Sequence, residues 1–361
     1  MGYWHKPELV PLYEDVQLNN KPEAAGLTMH MPYKKLGCRA GLFGMCRVGL
    51  CFAALLQCLC GCTPDTPPPE EGGSEQMSTN ASLTVFVSIV PQKAFVHKIA
   101  GERAAVHVMV RPGHSPATYE PLPRQLTLLS AADIYFRIGV PFEDAWLPRL
   151  RSVTADMPVV DTRKGIDLRH MHAHHGHTHG EGMGAAETEA DHAAHSERNR
   201  DPHIWLDPIL VKTQAETMTD GLAAVDPDHA DFYRERLVAF QRELDGLDHQ
   251  IRTLLSGLEN RAFMVFHPSW GYFAERYGLE QIPVEIEGKE PSARELEELI
   301  RLAESQGIKR IFVQQQFSSK SAQAIADAVG ATVVSLDPLA PNYMENMLDI
   351  ARTIAEAEAG E

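Results

Sequence analysis

From Leu83 onward the chain alternates short apolar runs with amphipathic ones. LTVFVSI (83–89), AVHVMVRP (105–112), ADIYFRIG (132–139) and MPVVD (157–161) are short and rich in β-branched residues, so they read as strands. Between them PQKAFVHKIAG, PLPRQLTLLSA and FEDAWLPRLRSV show the three- and four-residue spacing of helices. The same alternation returns after residue 259. Its strands are AFMVFH (262–267), QIPVEIE (281–287), IKRIFVQQQ (308–316) and TVVSLDP (332–338). Its helices are WGYFAERYG, SARELEELIRLAESQG, KSAQAIADAVG and NYMENMLDIARTIAEAEA. Strand, helix and strand in strict order imply a parallel sheet with helices on its faces. The expected fold class is therefore α/β, with two Rossmann-like lobes.

The two halves are separated by helical sequence. A helix is expected over Ile209–Val225, ended by Asp226-Pro227-Asp228. Leu237, Phe240, Leu244, Leu247, Ile251, Leu254 and Leu258 then form one apolar stripe at helical spacing. About 30 residues of helix span roughly 45 Å, more than a compact lobe requires. The expected organisation is a first lobe at 83–227, a linker helix at 228–258 and a second lobe at 259–361. The alternative use of the stripe is a coiled-coil dimer seam.

One stretch breaks the pattern. Residues 169–199 have no hydrophobic period and hold His170, His172, His174, His175, His177, His179, His192 and His195 among Gly, Ala and Thr. Such a segment reads as an exposed loop, and its imidazoles are ready metal ligands.

Composition narrows the function classes. With 33 Lys and Arg against 49 Asp and Glu, the formal charge is −16, which disfavours a phosphate backbone as partner and suits handling of cations. All six cysteines (Cys38, Cys46, Cys51, Cys58, Cys60, Cys62) lie in the first 62 residues, so the α/β body has neither disulfides nor a thiolate metal site. Lys34, Lys35, Arg39 and Arg47 precede an apolar run from Val48, the build of a secretory signal over 29–61. Its end, LCGC, resembles the lipobox of bacterial lipoproteins, which makes Cys62 the expected lipidation site. Residues 1–28 fit no targeting pattern and are read as an extension upstream of a start at Met29 or Met31. Residues 62–82 are rich in Pro, Gly, Ser and acid, and read as a flexible tether with an end-to-end distance of about 25 Å.

In open α/β sheets ligands bind beyond the carboxyl ends of strands. Polar candidates at or near such places are RPGHSPATYEP, NRDPHIWLDP with His203, FHPSWGYFA with His267 and SLDPLAPNY with Asp337. Two come from each half, so they meet only in a cleft between lobes. These motifs, with EGKEPSARELEELI, the lipobox and the long helix, resemble the zinc/manganese solute-binding lipoproteins of bacterial ABC importers over about residues 83–357. The resemblance implies capture of a divalent transition metal between the lobes, on the periplasmic or extracellular face of the membrane. It also implies partnership with an ABC permease and its ATPase, a lipid anchor in the membrane, and a monomeric chain.

Carried over by position, the resemblance implies His203, His267 and Asp337 as metal ligands. It departs at the first motif, where the family histidine is Ala117 and His114 lies three residues earlier. The fourth position is then open to His114, a water, the second oxygen of Asp337 or a histidine of the long loop. Asp207 is expected to cap the helix that follows it or to contact a ligand histidine, and Gln314, Gln315 and Gln316 to orient ligands. A histidine-dominated set favours Zn2+ over Mn2+, which prefers more oxygen donors.

Three rivals deserve mention. GHSPA (113–117) resembles a nucleophile elbow, but Pro116 removes the N–H that builds an oxyanion hole and Ala117 replaces the last glycine. A zinc-dependent hydrolase would need a general-base motif such as H-E-x-x-H, which the sequence lacks. A metal-binding surface adhesin is compatible with every motif. The histidine run is read as an accessory, since a mobile ligand set loses much entropy when it closes on an ion. Deleting residues 170–195 is expected to remove weak, multiple metal sites and leave one tight site in a calorimetric titration.

Overall fold

The computed structural model describes residues 83–154, 156–171, 200–286 and 288–359. The chain divides into two compact units, and all described residues belong to the second, Gly73–Glu361. Cys62, the expected lipidation site, and the histidines from His172 to His195 lie outside the described residues.

The first lobe is built on β1 (Leu83–Val87), β2 (Ala104–Val108), β3 (Ile134–Arg137) and β4 (Val159–Asp161), with α1 (Val90–Ala100), α2 (Pro123–Leu129) and α3 (Pro141–Val153) between them. The second lobe uses β5 (Ala262–Val265), β6 (Glu280–Pro283), β7 (Arg310–Val313) and β8 (Thr332–Ser335). Joining the lobes are α4 (Pro208–Val225) and α5 (Ala230–Leu255); α6 (Gly271–Tyr277), α7 (Ala293–Ser305), α8 (Lys320–Val329) and α9 (Tyr343–Ala359) complete the second lobe. Both sheets are wholly parallel, in the orders β2-β1-β3-β4 and β6-β5-β7-β8. The two halves thus repeat one topology.

The long helix is shorter than its apolar stripe suggests. A single 3-10 turn, Pro227–His229, precedes it, and Ser256 and Gly257 follow it. Its 26 residues span about 39 Å. Phe240, Leu244, Leu247 and Ile251 are buried as the stripe requires, while Leu237 and Leu254 are only partly so. The buried face packs on α4, α9 and α1 of the same chain. The stripe is therefore consumed internally and supplies no coiled-coil seam.

Parallel sheets must be covered on both faces, and here the cover is shared. One buried cluster runs from β1 and β3 through α4 and α5 to Phe273, Tyr277, Phe312 and Met347 of the second lobe. The opposite face of the second sheet has a separate, smaller cluster with Met264, Ile282, Leu299, Ile311 and Ile325. Phe95 of α1 marks the seam: its ring lies 5.9 Å from Phe240 on α5 and 4.8 Å, edge-on, from Tyr343 on α9. Lobes that share a core resist independent opening. Phe95→Ala is expected to lower stability by about 3–5 kcal/mol in urea unfolding, with one cooperative transition; two separate transitions would show that the lobes unfold independently.

Candidate metal centre

His203 sits in the segment 200–207 that returns the chain from the histidine-rich stretch to α4. The neck of that stretch closes with an antiparallel bridge between His170 and Arg200, and Asp201 N donates to Arg169 O at 2.8 Å. Asp201 Oδ1 then accepts from the His203 backbone N–H at 3.0 Å and lies 2.7 Å from His203 Nδ1. Asp201, His203 and Asp207 are all buried.

Although it precedes the linker helices in sequence, this segment is sewn to the second lobe. Tyr272 Oη donates to Asp201 O at 2.9 Å and accepts from Arg169 N at 2.9 Å. Burial pushes the Tyr272 hydroxyl up to about 12, so it stays protonated and remains a donor near neutral pH. Trp205 Nε1 donates to Pro338 O at 2.8 Å. Asp207 caps α4 by accepting from Ile209 N, as the sequence suggests, but its carboxylate pairs with Arg276 at 2.9 Å rather than with a histidine. Burial pushes the Asp207 carboxyl up, and the Arg276 guanidinium opposes that rise. The carboxylate behind His203 is Asp201, which the sequence reading missed; its Asp-x-His spacing, which lets a carboxylate reach the backbone two residues on, is the signal that could have found it.

His267 follows β5 at the point where the second sheet reverses its strand order, between β5 and β7. Gln314, at the end of β7, brackets its backbone: His267 N donates to Gln314 Oε1 at 3.1 Å, and Gln314 Nε2 donates to His267 O at 2.6 Å. Of the three consecutive glutamines this one orients a candidate ligand, while Gln315 is exposed. His267 Nδ1 lies 2.6 Å from Oε1 of the buried Glu285, and Phe317 stacks on the ring at 4.7 Å and 19°. Glu285 and Phe317 have no local sequence signature; only the strand alignment brings them to His267.

The two imidazoles meet. Their ring centroids are 5.3 Å apart at 71°. Each has Nδ1 against a carboxylate, and neither Nε2 carries a hydrogen bond among the described residues. Neutral imidazoles with the outer nitrogen held by a carboxylate form the standard donor arrangement for a divalent transition metal.

Asp337 and His114 stand differently. Asp337 Oδ1 accepts from Leu339 N at 2.9 Å, and Asn346 Nδ2 donates to Asp337 O at 2.8 Å. His114 is exposed; its Nδ1 lies 3.1 Å from Pro112 O, its Nε2 3.1 Å from Arg111, and its ring meets Tyr119 edge-on. Among the described residues no three His, Cys, Asp or Glu side chains form a closed metal-binding group. The structure thus pairs His203 with His267 and leaves Asp337 and His114 outside that pair. Ser115 Oγ accepts from Ala117 N at 3.2 Å, as in an ordinary turn.

The corresponding crevice of the first lobe is filled. Between β1 and β3, the buried Glu143 carboxylate accepts from Ser88 Oγ, Ile138 N, Gly139 N and Arg137 Nε at 2.5–2.9 Å. Among the described residues, the second lobe places a candidate ligand, His267, at its switch point.

Two parallel-sheet lobes, a shared spine and a pair of carboxylate-backed imidazoles define a solute-binding protein for metal ions. Residues 85–357 match the family model described as the periplasmic component A of the zinc-uptake complex, and the chain belongs to that family. The high-affinity zinc uptake system protein ZnuA of Bacillus subtilis is 28% identical over 300 residues, covering 82% of this chain and 88% of that protein. A putative metal-binding protein of Chlamydia muridarum is also 28% identical, over 273 residues, 75% of this chain and 90% of its own. Among solved structures, a crystal structure of ZnuA is 42% identical with a TM-score of 0.68, covering 76% of this chain and 99% of that one. The zinc-bound 138–173 deletion mutant of ZnuA is 41% identical with the same TM-score, covering 77% of this chain and 99% of that one. The laminin-binding protein of Streptococcus agalactiae, at 24% identity, a TM-score of 0.64 and coverage of 76% and 99%, shares the fold. The family is one of solute-binding transport proteins, and zinc is its cargo.

Gly271, the first residue of α6, is closely packed. A Cβ there would lie 2.4 Å from Arg169 Nη1 and 3.0 Å from Asp201 Oδ2. Gly271→Ala is expected to cost about 1–3 kcal/mol in thermal unfolding through overpacking and to weaken metal binding by displacing Asp201.

Proposed function

We propose that this chain captures Zn2+ in the interlobe cleft through Nε2 of His203, Nε2 of His267 and the carboxylate of Asp337, and delivers it to an ABC permease driven by its ATPase. The observation that carries the proposal is the His203–His267 pair, 5.3 Å apart and backed by Asp201 and Glu285. Two nitrogens and one oxygen suit a four-coordinate zinc site better than manganese, whose oxygen-rich sites have higher coordination numbers. A water or the second Asp337 oxygen completes the set, because His114 is turned to Arg111 and Pro112. The site binds and releases its ion and performs no turnover. Anchoring through Cys62 holds the protein on the outer face of the membrane, and the histidine-rich segment gathers zinc or senses its abundance.

The shared core implies that release depends on local rearrangement, when the permease docks, rather than on wide hinge opening. Titration calorimetry is expected to find one tight zinc that is lost in His203→Ala and in His267→Ala. Tight binding unaffected by both substitutions would overturn the assignment. A strain lacking the gene is expected to grow poorly under zinc chelation and to recover with added zinc.

A further inference from the structure

We infer that Asp201 and Glu285 are the positioning residues of the cargo site: each holds Nδ1 of one histidine, which presents both Nε2 atoms as a preset donor pair. The inference rests on the ligand reading above and deepens it. Two internal hydrogen bonds carry it, one for each histidine. His203 Nδ1 faces Asp201 Oδ1 at 2.7 Å, and His267 Nδ1 faces Glu285 Oε1 at 2.6 Å. A histidine has two ring nitrogens. In both residues one nitrogen is spent on the protein, so each imidazole has a single donor atom to give.

The two carboxylates are themselves held firmly. Asp201 is clamped through both backbone groups, with its N–H donating to Arg169 O and its C=O accepting from Tyr272 Oη. Its other carboxylate oxygen packs close to Gly271, where an added Cβ would approach it to 3.0 Å. The Glu285 N–H donates to Phe266 O at 3.0 Å, which extends the β6 side of the sheet by one bond and fixes the side chain beside His267. Phe317 closes the face of that ring and Gln314 holds its backbone. A carboxylate accepts only from a protonated nitrogen, so both histidines are set in the Nδ1–H tautomer before any ion arrives. The ordering cost of ligation is thereby met during folding.

The same arrangement limits the cargo. Two preset imidazole nitrogens suit zinc, while an oxygen-seeking cation finds no oxygen donor in that pair.

The test uses the full chain, with Zn2+ and Co2+ as probes. Nitrogen NMR of the imidazoles is expected to show the Nδ1–H tautomer at His203 and His267 in the metal-free protein. Asp201→Ala and Glu285→Ala are expected to lose that tautomer preference and to weaken zinc binding about 10–100-fold each. Asp201→Asn and Glu285→Gln keep an acceptor oxygen in place, and are expected to retain the tautomer and recover most of the affinity. They also keep the test decisive should an alanine variant fail to fold. Bound Co2+ is expected to give the intense visible bands of a four-coordinate ion. An Nδ1-unprotonated tautomer in the wild type, unchanged affinity in both alanine variants, or the weak bands of six-coordinate Co2+ would each overturn the inference. If zinc affinity instead survives His203→Ala and His267→Ala, it is the ligand reading that fails.

Discussion

The hydrogen bond from Trp205 Nε1 to Pro338 O joins segments 133 residues apart, and the metal centre depends on it. Trp205 is buried two residues after His203, and Pro338 follows Asp337 directly. One bond therefore sets two proposed ligand segments against each other, and the Asp207–Arg276 pair and the Tyr272–Asp201 bond reinforce it from the side. A segment that sequence order assigns to the first lobe is held mainly by the second. That is why His203 lies beside His267 rather than across an open cleft from it.

The repeated sheet order shows how one architecture can be put to two uses. In each half the strand order reverses between the first and third strands, which leaves a crevice at their carboxyl ends. In the first lobe Glu143 fills that crevice with four hydrogen bonds and makes it structural. In the second lobe the same place holds His267, with Gln314 on its backbone, and its imidazole is left with a free nitrogen. A bonded carboxylate spends its acceptors on the protein; a bracketed histidine keeps one donor for a ligand.

The spine explains why the centre is built as a fixed object. The hydrophobic cluster that covers β1 and β3 continues through α4 and α5 to α9 without a boundary at the lobe junction. Close-packed interiors transmit displacement rather than absorb it, so the proposed release of an ion falls to the loops that carry the candidate ligands. The segment around His114 is exposed.

Much of this was legible in the sequence because hydrophobic period is a local property. The strands and helices, the parallel α/β class and the long amphipathic helix follow from spacing and from Gly and Pro positions; the motifs around His267 and Asp337 follow strand ends, while His203 lies in the segment before α4. The partners of those residues were not legible. Glu285 reaches His267 only because β6 pairs with β5, and Phe317 only because β7 lies on the other side of the same strand. Asp207 caps α4 as expected, but the alternative, contact with a histidine, fell to Asp201, since Arg276 from a distant helix pairs with the Asp207 carboxylate. The apolar stripe of the linker helix announced a partner without naming it, and tertiary packing supplied α1, α4 and α9. Sequence determines which residues can bind a metal, because that is side-chain chemistry; only the tertiary structure decides which nitrogen each histidine has left to offer, because that depends on contacts between residues far apart in the chain.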